Sequence, residues 1–320
     1  MKILLLDAET LGEGIDFSPF EALGQVFYGG TVKDEQTMLA LAAHPQAGGA
    51  QAIVCSKAPV TKAVMDAFKD LQYVGVFATG YNNVDVEAAK ERGIALCNVP
   101  GYSGGAVAQL VFTFILMSAG STHLYIEETG RGDWISSPSF SMLTHKTVEL
   151  EGKTLGILGY GDIGKRVAAL GRAFGMRVIV HTRTTRDDSF VTFVSREELL
   201  KESDFLSLNA PLTPKTADFI NEESLALMKK SAVLINTARG GLVNEQALAK
   251  ALKKGRISCA CLDVLKSEPM AKDCPLFGLK NCFITPHIAW TPTETRERLS
   301  RIAAENLDAF LKGEEKNRVV

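Results

Sequence analysis

Three segments of this chain carry residue types that can do polar chemistry together: Asn236-Thr237-Ala238-Arg239-Gly240-Gly241, Leu262-Asp263-Val264 through Glu268-Pro269, and Thr285-Pro286-His287-Ile288-Ala289-Trp290. Each lies just beyond the C-terminal end of an expected β-strand, where open α/β sheets place their ligands. Arg239 offers a planar cationic fork suited to a carboxylate. His287, one of five histidines and alone in such a setting, is of the type that exchanges protons near neutral pH. Glu268 is a carboxylate that would hydrogen-bond the imidazole and favour its charged form. Taken singly, each has a plainer reading: Arg239 as a surface ion-pair partner, Glu268-Pro269 as a turn, His287 as a satisfied core histidine. Their combined roles, in this order, argue for a reaction centre.

A fourth segment, Gly159-Tyr160-Gly161-Asp162-Ile163-Gly164, follows the apolar run 153–158 and precedes a helical pattern over residues 165–174. GxGxxG between a strand and a helix reads as a dinucleotide site. The first glycine allows the tight turn, the second lets the backbone approach a pyrophosphate, and the third permits close helix–strand contact. The helix N-terminus adds the positive end of a dipole. The next strand runs into His181-Thr182-Arg183-Thr184-Thr185-Arg186, with no acidic residue for the ribose hydroxyls until Asp187. Arg183 and Arg186 are available to a 2′-phosphate, so NADP is expected to be accepted. The alternative left open is that both arginines are solvated and NAD is held without an acidic clamp.

The elements that must position these residues alternate strand and helix. Strands are expected at residues 2–7, 51–55, 73–78 and 94–97, and helices at 33–43, 61–69 and 85–92. Pro100-Gly101 interrupts the series, and one long apolar helix is expected over residues 104–128. A second series has strands at 154–158, 177–181, 205–208, 233–236, 258–263 and 282–285, with a final helix over 293–311 that could return to the first domain. Such alternation implies parallel sheets covered on both faces.

Composition narrows the partners. The 320 residues are 46% apolar and 22% charged, ordinary for a soluble two-domain protein. A net charge of −2 and the lack of a Lys/Arg stripe exclude a nucleic-acid surface. The apolar run at the N-terminus stops at Asp7, too early for a secretory signal. The most apolar stretch, residues 106–119, is too short to span a bilayer. Six scattered cysteines include no CxxC pair, and Cys259 and Cys261 are expected as small core residues on one face of a strand. No metal site follows. The expectation is a cytoplasmic protein whose partners are a small molecule and a second copy of the chain.

The four segments, which follow the family's order along the chain, closely resemble the D-isomer-specific 2-hydroxyacid dehydrogenases, and the resemblance covers nearly the whole chain. Ala78-Thr79-Gly80-Tyr81-Asn82-Asn83-Val84-Asp85, Asn98-Val99-Pro100-Gly101-Tyr102-Ser103 and Ala108-Gln109 are similar in particular to the glycerate dehydrogenase/hydroxypyruvate reductase branch. The resemblance implies two doubly wound α/β domains with an interdomain cleft: a flavodoxin-like substrate domain over 1–99 completed by 288–320, and a Rossmann-type NAD(P) domain over 100–287. Crossings near Pro100 and Pro286 would form a hinge whose closure expels water.

It also implies roles. Arg239 would hold the carboxylate of a 2-keto acid, and His287, oriented by Glu268, would give the carbonyl oxygen its proton. Formate dehydrogenases resemble this chain but carry Gln at the position of Glu268, which argues here for carbonyl–alcohol interconversion. Thr79 and Gly80 would present amides to the substrate carboxylate. Asp263 would bond the nicotinamide carboxamide, with Thr237 and Ala238 assisting. Asn209-Ala210-Pro211 would border the adenosine, and Thr216 would reach the phosphate. Lys57 and Trp290 are lining candidates that serve equally well as packing or solvent-facing residues. The apolar helix after Gly104 resembles the family's dimer-forming element, with Trp134 near a neighbouring subunit.

The expected reaction is reduction of hydroxypyruvate, glyoxylate or a similar short 2-keto acid to the D-hydroxy acid. Phosphoglycerate dehydrogenase is the alternative within the class, weakened by the lack of room for a regulatory domain after the last helix. A dinucleotide-sensing, corepressor-like binding protein is the alternative outside it.

Overall fold

Twelve strands in two parallel sheets organise residues 1–184 and 188–320, the residues that the computed structural model describes. The chain divides into two units, Met1–Ser103 with Trp290–Val320, and Gly104–Ala289.

In the first unit the strands are β1 (Lys2–Leu5), β2 (Gln25–Tyr28), β3 (Ala52–Cys55), β4 (Tyr73–Val76) and β5 (Ala95–Cys97), in the order β2-β1-β3-β4-β5. Strands β3 to β5 are buried throughout, as a parallel sheet covered on both faces requires. Helices Glu35–Ala42, Lys62–Ala67 and Val86–Glu91 each start on a side-chain cap, from Asp34, Thr61 and Asp85. Their Met38, Val64 and Ala88 meet Leu4, Ile53, Val74 and Leu96 on one face of the sheet. The other face is covered by the terminal helix Thr293–Leu311, whose Leu299, Ala303 and Leu307 pack with Ile3, Leu5 and Val54. Strand β2 was not expected: it is a four-residue edge strand with only three apolar residues, Val26-Phe27-Tyr28, none of them buried.

The second unit holds β6 (Thr154–Leu158), β7 (Arg177–His181), β8 (Thr192–Phe193), β9 (Phe205–Leu208), β10 (Val233–Asn236), β11 (Cys259–Leu262) and β12 (Cys282–Ile284), in the order β12-β11-β10-β9-β6-β7-β8. Six were expected; β8 is a two-residue addition at the edge. Connections from β6 and from β9 run to opposite sides of the sheet, so their C-terminal ends flank the switch point where such sheets bind ligands. Cys259 and Cys261 lie in one apolar cluster of this sheet, as expected.

The single long helix expected from residue 104 is two, Gly104–Gly120 and Thr122–Arg131, bent by 62°. Ser121, at φ 49, makes the break. The first helix buries Val107, Val111, Phe114 and Ile115 in the core, whereas the second buries nothing, so the two have different surroundings. Among the described residues no single helix is long and apolar enough to cross a membrane. Beyond the second helix, Trp134, Ile135, Phe140 and Leu143 are exposed, the last three by 89–91%.

Candidate active site

Strand β10 ends at Asn236, whose buried side chain closes the turn that follows. Its Nδ2 donates to the Arg239 carbonyl (2.9 Å), and its Oδ1 accepts from the Ala238 amide (3.1 Å). Gly240 then presses against the neighbouring loop so closely that a Cβ there would lie 2.0 Å from the Leu265 carbonyl carbon. Arg239 is exposed on this clamped turn, with Nη1 donating to the Ala238 carbonyl at 2.7 Å.

The loop that Gly240 touches carries Glu268. Leu265 N donates to Glu268 Oε1 at 3.0 Å, and Glu268 Oε2 lies 2.8 Å from His287 Nδ1. With the carboxylate ionised, Nδ1 is the donor, which leaves Nε2 to exchange a proton with a bound molecule. His287 has φ 55, a left-handed conformation uncommon outside glycine. Its loop is held there by Asp263, only 1% exposed. Asp263 Oδ1 accepts from Ile288 N (2.8 Å) and Thr285 Oγ1 (2.5 Å), and Oδ2 accepts from Ala289 N (2.9 Å). The Asp263 carbonyl accepts from His287 N at 3.0 Å. Sequence reasoning reserved Asp263 for the cofactor; the structure gives it a further task in shaping the histidine loop, leaving one lone pair on Oδ2 for another donor.

The glycine loop lies at the switch point. Gly159 has φ 90, and a Cβ there would sit 2.8 Å from the Asn209 carbonyl oxygen. At Gly164 a Cβ would meet the Gly159 carbonyl oxygen at 2.3 Å, so the helix Asp162–Ala173 can approach its strand only without one. Around Gly161 nothing lies within 4 Å of a Cβ position, and no side chain caps the helix that starts there. That is an open cradle of amides for an anion. Two buried polar atoms at neighbouring strand ends, Asn209 Oδ1 and Thr237 Oγ1, have no hydrogen-bond partner among the described residues. Together these features fit a dinucleotide, which would supply the missing partners.

The side chains of the other loop residues are engaged within the protein. Ile163 packs into the apolar core. Tyr160 donates its hydroxyl to Asp188 Oδ2 (2.7 Å), and burial followed by that bond pushes its phenol up to about 12. Asp162 pairs with Arg166 at 3.1 Å. At the end of β7, His181 Nδ1 lies 3.0 Å from the Val194 carbonyl oxygen; beyond it, Thr182 is partly buried and Arg183 is exposed. Arg186 lies outside the described residues. Ala210 is buried and Pro211 exposed. Thr216, expected to reach a phosphate, uses its hydroxyl within its own turn in this structure, accepting from Thr213 N (2.8 Å) and donating to the Pro211 carbonyl (2.7 Å).

The remaining candidates belong to the first unit. Thr79 and Gly80 follow β4, with Thr79 Oγ1 donating to the Val99 carbonyl (2.9 Å) and Asn98 Nδ2 donating to the Thr79 carbonyl (2.7 Å). Lys57 is exposed just after β3. Trp290 is partly buried against the apolar cluster beneath the terminal helix, which favours packing for most of its ring. Sequence reasoning gave no role to Asn236 and Asn83, although both lie in segments that carry the resemblance, or to Asp7; all three hold loops.

Residues 112–289 match the family model for the NAD-binding domain of D-isomer-specific 2-hydroxyacid dehydrogenases. A hydroxypyruvate reductase of Blautia hydrogenotrophica is 37% identical, covering 98% of both chains. A glyoxylate reductase of Aeropyrum pernix is 43% identical over 76% of this chain and 74% of its own. A crystal structure of a Thermus thermophilus protein superposes with a TM-score of 0.88 at 36% identity, covering all of both chains. The chain belongs to the D-isomer-specific 2-hydroxyacid dehydrogenases, NAD(P)-dependent oxidoreductases that interconvert a 2-keto acid and its D-2-hydroxy acid.

Proposed function

We propose that this enzyme reduces a short 2-keto acid, hydroxypyruvate or glyoxylate, with Arg239, Glu268 and His287 as its catalytic residues. The observation that carries the reading is the His287–Glu268 pair at 2.8 Å, held by backbone on both sides next to the loop of Arg239. Arg239 pairs with the substrate carboxylate through its fork and polarises the adjacent carbonyl. His287 Nε2 gives its proton to the carbonyl oxygen, and Glu268 stabilises the imidazolium that does so and fixes the ring's orientation. Bound at the glycine loop, NAD(P)H supplies the hydride that the carbonyl carbon receives. The open amides beginning at Gly161 would cradle its pyrophosphate, Gly159 and Gly164 permit the turn and the close helix that shape the cradle, and Asn209, Thr237 and Asp263 would offer it polar atoms. Thr79, Gly80 and Lys57 contact the substrate from the first unit. NADP is accepted, a reading supported by exposed Arg183 and the missing acidic clamp after β7.

The test is steady-state oxidation of NADH and of NADPH with hydroxypyruvate, glyoxylate, pyruvate and 3-phosphohydroxypyruvate. Turnover is expected with the two short acids. Preference for the phosphorylated acid would identify a phosphoglycerate dehydrogenase. Dinucleotide binding without reduction of any of the four would replace the enzyme reading with a sensing one.

A homodimer and a cytoplasmic location are part of the same proposal. The exposed Ile126, Ile135, Phe140 and Leu143 support the dimer, since monomers seldom leave so many large apolar side chains in water along one arm. Phe140→Glu combined with Leu143→Glu is expected to convert the dimer to monomer in sedimentation velocity, with unchanged circular dichroism. A sedimentation coefficient equal to that of the wild type would remove the arm from the interface.

A further inference from the structure

Asp7 follows β1 in the first unit, fully buried, with φ 58. Its carboxylate has no ion-pair partner among the described residues, yet it accepts four backbone N–H bonds. Oδ1 takes Val32 N at 3.0 Å. Oδ2 takes three successive amides, from Ser56 (2.9 Å), Lys57 (2.7 Å) and Ala58 (2.9 Å). Consecutive amides converging on one oxygen make a nest, a concavity built for an anion.

The place of this nest gives it meaning. β1 and β3 are neighbours, and the chain leaves them toward opposite edges of the sheet, so their C-terminal ends form the switch point of this unit. Sheets with this strand order bind ligands at that crevice. Here the chain's own carboxylate fills the anion nest. From the other side Asn83 Nδ2 donates to the Ala58 carbonyl at 2.8 Å, and Val60 N donates to the Asn83 carbonyl at 2.8 Å. The loop of Ser56, Lys57 and Ala58 is thus clamped between Asp7 and Asn83, and its one long exposed side chain is Lys57.

We propose that Asp7 is a positioning residue for the substrate: it serves as an internal anion that closes the switch-point nest and sets the backbone from which Lys57 meets the substrate carboxylate. The proposal rests on the assignment of Lys57 to the substrate made above. It also means that these three amides are closed to the substrate, whose carboxylate must be met by other groups.

Asp7→Ala, Asp7→Asn and Lys57→Ala are compared with the wild type, using hydroxypyruvate as the probe and NADPH as the reductant. Asp7→Ala and Lys57→Ala are each expected to raise the KM for hydroxypyruvate about tenfold, leaving the KM for NADPH within about twofold. Added formate, a carboxylate small enough for the emptied nest, should raise the Tm of Asp7→Ala and restore its KM relative to wild type in the same buffer. It should do neither for Lys57→Ala. Asp7→Asn, isosteric and uncharged, keeps the protein foldable should the alanine variant fail, and is expected to show a smaller rise in the same KM. A lower Tm with an unchanged hydroxypyruvate KM in both Asp7 variants would reduce Asp7 to a stabilising role and overturn the proposal. An unaffected Lys57→Ala would overturn it at the other end. Absence of turnover in the wild type would instead sink the substrate reading, while the formate-dependent Tm would still report whether the nest exists.

Discussion

His287→Asn is expected to lower kcat for 2-keto acid reduction by about 10²–10⁴-fold, the range that loss of a positioned general acid produces. The KM for NAD(P)H should change little, because the glycine loop lies at a different strand end from the histidine loop. Asparagine keeps a polar side chain of smaller reach and tolerates the left-handed backbone that His287 adopts at φ 55, so the loop should survive the change. Glu268→Gln is the companion variant. Its amide oxygen can still accept from His287 Nδ1 at the observed position, so orientation is retained while the negative charge opposite the imidazolium is lost. A loss between those of wild type and His287→Asn is expected. Steady-state kinetics of both variants decide the matter: a kcat for His287→Asn within about threefold of wild type would remove the histidine from proton transfer.

Arg239→Met is expected to cost roughly 10²–10³-fold in kcat/KM for the keto acid, the scale of breaking one side of a desolvated charge pair. Stability should be nearly untouched. The Arg239 side chain is exposed, its one hydrogen bond is to the adjacent carbonyl, and the turn beneath it is held by Asn236 and Gly240 rather than by the guanidinium. Arg239→Lys separates charge from shape. A lysine restores the positive charge but not the planar fork, so a partial recovery in KM is expected, with kcat still depressed where the arginine polarises the carbonyl. If methionine at this position left the KM for the keto acid at the wild-type value, the substrate carboxylate would have to be held without Arg239, leaving Lys57 as its cationic partner.

Much of this architecture was legible in the amino-acid order because its signals are local. GxGxxG occupies six consecutive positions, and each glycine proves to have its own geometric reason. The strands Thr154–Leu158, Arg177–His181, Phe205–Leu208 and Val233–Asn236 are short apolar runs bounded by polar or turn residues, and the structure reproduces their limits. The helix Thr293–Leu311 repeats its apolar face at helical spacing from end to end. Strands β2 and β8 give weaker signals because they are short edge strands, four and two residues long, with no fully buried position. The break at Ser121 was hidden for a related reason: an apolar stretch records burial but not the direction in which the chain continues.

The reactive residue types and their order were set by the sequence. What holds those residues was decided only in three dimensions. Asp7 binds amides 49 to 51 positions away, and Asp263 shapes a loop 25 and 26 positions further on. Neither partnership has a period or a spacing that a linear pattern could reveal. A buried carboxylate satisfied by backbone amides asks nothing of its partners' side chains, so only the folded backbone, bringing the ends of neighbouring strands together, makes it visible.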